Sequence, residues 1–125
     1  MIESNLARQS DYEWIRSLKS KGFETVVYFI CTSDIEINIG RVKKRVKEGG
    51  HDVPENIITD RYRMALIYLR TEILHFKEAY LIENSTETAK EMAIVVNGQL
   101  IKKHNPCPEW VNNALYILER LNKRK

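Results

Sequence analysis

The stretch Thr25-Val26-Val27-Tyr28-Phe29-Ile30-Cys31, followed after Thr32 by Ser33-Asp34-Ile35-Glu36, decides how the chain is read. The first seven residues are β-branched, aromatic or apolar and carry no charge. Such a continuous run predicts a strand buried on both faces, as in a parallel sheet covered by helices. Ser33 and Glu36 have the spacing of a capping box, so a helix is expected to start directly after the strand. A strand that feeds a helix opens an α/β unit.

Upstream, Ser10-Asp11-Tyr12-Glu13 has the same capping-box spacing, and Trp14, Ile15 and Leu18 follow at helical intervals. Gly22 is placed as a left-handed stop. Downstream, Ile35, Ile39, Val42 and Val46 form an apolar stripe, and Gly49-Gly50 ends that helix. Asp52 is the expected N-cap of a third helix, with Pro54 and Glu55 at its start and Ile58, Tyr62, Ala65, Leu69 and Ile73 as its buried stripe. Ala79–Ile82 reads as a short strand. Met92–Val96 and Gln99–Lys102 flank Asn97-Gly98, the two positive-φ residues of a type I′ hairpin turn. Pro106 and Pro108 break the chain before a last helix carrying Trp110, Ala114, Ile117, Leu118 and Leu121. The order predicts one α/β domain over residues 1–125 with a parallel sheet, a helical hairpin over about 34–76 and a carboxyl-terminal helix over about 108–124.

The length of 125 residues suits one domain, and 43% hydrophobic with 30% charged residues suits a globular chain rather than a disordered one. The longest apolar run, Val26–Cys31, is far short of a bilayer span, so no membrane partner is expected. Met1-Ile2-Glu3-Ser4-Asn5 lacks the basic and apolar regions of a signal peptide. Two cysteines, Cys31 and Cys107, make no disulfide framework, and a cytoplasmic location is the expectation. His51, His75 and His104 have no metal-ligand spacing. A net charge of +3 does not by itself imply nucleic acid, and no aromatic interleaving supports such a partner. No Gly-x-x-x-x-Gly-Lys-Ser/Thr run is encoded, nor a nucleophile elbow.

Chemistry is expected in Arg41-Val42-Lys43-Lys44-Arg45-Val46-Lys47-Glu48-Gly49-Gly50-His51-Asp52-Val53-Pro54. Two glycines permit a sharp reversal, so a basic helix and its successor can form a hairpin that opens and closes. Its arginines would swing over the carboxyl ends of the strands, where open α/β sheets bind ligands. A surface hairpin with solvated charges is the plain alternative. Glu3 could end a strand and face a ligand, or belong to a loose terminus.

The run Ile30–Tyr62, with its Arg-x-x-x-Arg-Val-x-x-Gly-Gly-His-Asp-Val-Pro core, resembles the zeta-toxin-like family of P-loop kinases. Ile2-Glu3-Ser4-Asn5-Leu6 is similar to that family's Glu-Thr-Thr-Leu segment, and Lys21-Gly22-Phe23-Glu24-Thr25-Val26 to its Lys-x-Gly-Tyr-x-Val strand start. Ala79-Tyr80-Leu81-Ile82-Glu83-Asn84-Ser85 resembles its Ala-x-Leu-Tyr-Asp-Asn-Ser strand end, and the Asn97-Gly98 hairpin also fits. The resemblance covers roughly residues 2 to 103; Gly-Gly-His-Asp-Val-Pro is its most specific part.

The resemblance implies the carboxyl-terminal part of a three-layer P-loop kinase-like fold, and ATP-dependent phosphorylation of a small hydroxylated, sugar-nucleotide-like substrate. Arg45 would be a lid arginine on the transferred phosphate and Arg61 a second. Glu3 would bind substrate and Asn84 nucleotide, and Arg41, Gly49, Gly50, His51 and Asp52 would belong to the lid. ATP and Mg²⁺ would be the cofactors of the complete enzyme, with none assigned to this chain alone. Two departures stand out. The family's Ile-Arg-Arg-Arg-Tyr is here Ile58-Thr59-Asp60-Arg61-Tyr62. The Walker A loop and the base aspartate are missing, so the chain is expected to be inactive alone. An N-terminal segment or an antitoxin-like protein would be its partner. The alternative is a non-catalytic interaction module of the same descent. Losing a central strand would leave Thr25–Cys31 as an open edge that recruits other strands, by homodimerisation among other routes.

Overall fold

The computed structural model describes residues 4 and 6–123. In chain order they form α1 (Gln9–Ser20), β1 (Val26–Cys31), α2 (Ile35–Lys47), α3 (Glu55–Glu72) with a 3-10 turn at Ile73–His75, β2 (Glu78–Glu83), β3 (Lys90–Val96), β4 (Gln99–Lys103) and α4 (Glu109–Lys123). The sheet order is β1-β2-β3-β4. β1 and β2 are parallel, with Val26 opposite Glu78 and Cys31 opposite Glu83. The two later pairs are antiparallel, so the sheet is mixed: the expected parallel pairing holds for β1 and β2, and the expected β-hairpin adds to the same sheet. The β3–β4 turn is as the Asn-Gly pair dictates, with φ of 49° at Asn97 and 76° at Gly98.

The core lies between one sheet face and the helices. Val27, Phe29, Ala79, Leu81, Ala93 and Val95 point inward and meet Tyr12 of α1, Leu69 of α3, and Trp110, Val111, Leu115 and Leu118 of α4. Fully burying a side chain such as Leu81 or Leu115 contributes about 1.5–3 kcal/mol. α4 supplies the largest share because its Trp110, Val111, Ala114, Leu115 and Leu118 fall on one helical face.

The expectation that β1 is buried on both faces is overturned. Burial alternates strictly along it: Val27, Phe29 and Cys31 are inside, whereas Val26, Tyr28 and Ile30 are 45%, 62% and 59% exposed. No second helical layer covers that face among the described residues, so the helices form one layer rather than two. Tyr28 stacks on Tyr80 of β2 with ring centroids 4.9 Å apart, which shields part of this apolar strip. β1 is also an edge of the sheet, and its outer backbone is unpaired by any strand among the described residues.

Three expected caps are corrected. α1 starts at Gln9 after Arg8, with no side-chain cap, so Ser10 lies inside the first turn. α2 is capped by Asp34, whose carboxylate accepts from the Glu36 amide at 2.9 Å, because the Ser33 hydroxyl is drawn away to Glu83. α3 starts at Glu55 after Pro54, and Asp52 caps nothing.

Candidate functional site

The helical hairpin stands where the sequence places it. α2 ends in a left-handed turn with φ of 97° at Gly49. The Gly50 amide then donates to the Arg45 carbonyl at 2.7 Å, an approach so close that a Cβ at Gly50 would lie 2.8 Å from that oxygen. Only glycine fits there. From Gly40 to Met64 no residue is fully buried, so the two arms and their turn stand out from the core, which is anchored again at Ala65. Lys43 and Glu55 bridge the arms at 2.8 Å, but both are exposed and such a pair contributes little.

Beneath the hairpin, beside the carboxyl end of β1, is a cavity of about 470 Å³. Arg41 and Arg45 of α2 and Arg61 of α3 line it, with Asn38, Tyr62 and Asn84 among its polar groups. Three arginines from both arms therefore line one space. Among the described residues none of the three makes an ion pair. Arg45 Nε reaches the Arg41 carbonyl at 3.5 Å, a long contact that leaves its fork free. Among the described residues no carboxylate lines this cavity. Its chemistry is that of an anion site, since clustered guanidiniums match phosphate or carboxylate geometry.

Hydrogen bonds hold the rim. Tyr62 Oη donates to the Thr32 carbonyl at 2.7 Å and so ties α3 to the end of β1. Thr32 Oγ1 donates to the Asp34 carbonyl at 3.0 Å and also meets the Asn38 amide oxygen. The Asn84 backbone N–H donates to the Cys31 carbonyl at 2.8 Å. Burial, together with the neighbouring Cys31, pushes the Tyr62 phenol above its ordinary value, so it remains a donor. Burial likewise pushes the Cys31 thiol up to about 11, which leaves it unreactive at neutral pH.

Arg41, Arg45, Arg61 and Asn84 of the sequence-derived set thus come together, and Gly49 and Gly50 shape the turn. His51 and Asp52 are exposed and do not line this cavity. Glu3 lies outside the described residues. Sequence reasoning missed Glu83. This buried carboxylate receives hydrogen bonds from the hydroxyls of Ser33 and Ser85, the Ser85 amide at 3.0 Å and Trp110 Nε1 at 2.9 Å. It thereby locks the segment after β1, the end of β2 and α4 together beside the cavity. A charged residue closing the apolar run Ala79–Ile82 was the available signal. Among the described residues no group of three or more His, Cys, Asp or Glu could hold a metal ion, and no helix is long and apolar enough to cross a membrane.

No family model and no solved structure matches the chain. It is 38% identical over 61 residues to an uncharacterized protein of Haemophilus influenzae. That match takes in 49% of this chain and 44% of the relative, so the chain spans less than half the length of the curated relative it matches.

Proposed function

We propose that this chain is the lid and substrate side of an ATP-dependent phosphotransferase of the zeta-toxin-like P-loop kinase class. The observation that carries the reading is the convergence of Arg41, Arg45 and Arg61, from both arms of the hairpin, on one cavity at the carboxyl end of β1. Phosphoryl transfer asks for positioning and neutralisation of developing charge rather than covalent chemistry, and guanidiniums do both. The residues present fit the phosphates of ATP. Among the described residues the lining supplies no carboxylate for its Mg²⁺. In this reading the mixed sheet is the carboxyl-terminal part of a three-layer kinase-like fold, and the strand bearing the phosphate loop pairs with the open edge of β1. The substrate is a small hydroxylated compound.

Titrating the chain with inorganic phosphate, followed by amide chemical shifts, tests the arginine cavity. Binding in the range of roughly 1 mM is expected, weakened several-fold by Arg45→Ala or Arg61→Ala and unchanged by Lys44→Ala. Equal affinities in all four proteins would reject the cavity as a phosphoryl site.

The bare strip of Val26, Tyr28 and Ile30 favours a second reading, an interaction module that binds a protein through β1 without catalysis. Phosphate binding that ignores Arg45, combined with tight capture of another strand, would select it.

A further inference from the structure

The arginine cavity is lined by Tyr28, Phe29, Ile30 and Cys31 of β1 in unbroken succession, and by Thr32 just beyond it. Along β1, Phe29 and Cys31 point to the core face of the sheet, and Tyr28 and Ile30 to the bare one. A space that meets residues of both kinds runs beside the strand rather than over either face. β1 pairs with β2 on one side. The space therefore follows the other, outer edge, where no strand pairs among the described residues. An open strand edge and three arginines from the hairpin thus border the same slot.

An edge of this kind offers amides and carbonyls to one more strand, and that backbone pairing supplies affinity without reading sequence. Selection falls to the side chains around the slot. Among the described residues Arg41, Arg45 and Arg61 form no ion pair and no carboxylate lines the space with them. A strand bearing lysine or arginine would be repelled, and a wholly apolar one would take water from the guanidiniums without replacing it. Carboxylates match the guanidinium fork. Arg41 and Arg45 stand one helix turn apart, about 6 Å along α2, and alternate residues of a strand, which share a face, are about 6.5–7 Å apart. The geometry points to an extended segment of a partner protein that adds to β1 as a further strand, with apolar residues beside Tyr28 and Ile30 and two carboxylates at alternate positions among Arg41, Arg45 and Arg61. The inference rests on the interaction-module reading and gives the partner its chemistry.

The probe is the peptide Glu-Thr-Glu-Val-Thr-Val-Thr-Val-Glu-Thr-Glu, which presents an acidic pair in either strand direction. It is titrated into the full chain and followed by amide shifts and amide hydrogen exchange. It should bind about tenfold tighter than the same peptide with glutamine at its four acidic positions, one or two charge-assisted hydrogen bonds being enough for that ratio. It should also slow exchange at amides of β1. Arg45→Ala and Arg61→Ala should each weaken the acidic peptide several-fold, and Lys44→Ala should not. Both arginine variants should bind the glutamine peptide as the wild type does, which a misfolded chain would not do. Replacing the two threonines between the valines by proline keeps every charge but prevents pairing, and should abolish binding. Equal affinity for the acidic and glutamine peptides would overturn the inference while leaving strand capture, and with it the interaction-module reading, intact. Undiminished binding of the proline peptide would overturn it as well, because charge alone would then hold the segment. Binding of none of the peptides would overturn inference and reading together.

Discussion

The indole Nε1 of Trp110 donates to Glu83 Oε2 at 2.9 Å, joining residues 27 positions apart inside the protein. Burial by itself would raise the Glu83 carboxyl, but hydrogen bonds from Ser33, Ser85 and Trp110 outweigh it and hold the group below its ordinary 4.5. The folded protein then binds fewer protons at this site than the unfolded chain, so the contribution is complete above about pH 4.5 and is lost as pH falls through the lower folded value. Glu83→Gln keeps the shape and removes the charge. It should lower the unfolding free energy by about 2–3 kcal/mol at pH 7, the usual scale for a hydrogen bond to a charged group. Urea titrations at pH 7 and between pH 4.5 and 3 check this, and the variant should lose less stability than the wild type over the acid range.

Two glycines of the hairpin should respond in opposite directions. Gly40 lies within α2 with nothing inside 4 Å of a built Cβ, so Gly40→Ala should stabilise by about 1 kcal/mol. At Gly50 the same change drives a methyl against the Arg45 carbonyl. It should destabilise by about 1–3 kcal/mol and weaken phosphate binding, because the Arg45 backbone must shift. Thermal melts of both variants, with phosphate titrations beside them, give the comparison.

The reach of sequence reasoning divides along the same physical line. Local devices were legible. Asn97-Gly98 sets its own turn, Gly49-Gly50 ends α2, and the stripe from Ala65 to Ile73 is buried as its spacing says. The caps expected at Ser10 and Asp52 failed locally, because α1 starts before Ser10 and α3 after Pro54, and the other failures depended on partners far along the chain. Ser33 has the residue type and spacing of a cap, but Glu83, 50 positions away, takes its hydroxyl. The uncharged run Val26–Cys31 reads the same whether its second face is covered or bare, and here it is bare. Arg41 and Arg45 were legible together because one helix turn separates them. That they share a space with Tyr28 and Ile30 depends on where the hairpin comes to stand beside β1, which no local pattern encodes.

The open edge has its own consequence. An uncharged strand with exposed Tyr28 and Ile30, and with an outer backbone unpaired by any strand among the described residues, is a template for further strands. Light scattering should show an apparent mass that rises with protein concentration. Ile30→Lys, at an already exposed position, should suppress that rise while changing stability by no more than about 0.5–1 kcal/mol. A particle that stays monomeric at high concentration without the substitution would mean that the edge is protected.

The central claim is that this hairpin is a phosphotransferase lid, and reconstitution tests it most directly. The chain alone should turn over no ATP. Joined to an amino-terminal segment that carries a phosphate-binding glycine loop and a base aspartate, it should hydrolyse or transfer the γ-phosphate. In that working chimera Arg45→Ala should cost on the order of 10³ in rate, and Lys44→Ala, the adjacent residue that does not line the cavity, should cost almost nothing. Equal turnover in the Arg45→Ala and Lys44→Ala chimeras would contradict the account and return the hairpin to a solvated, charged surface.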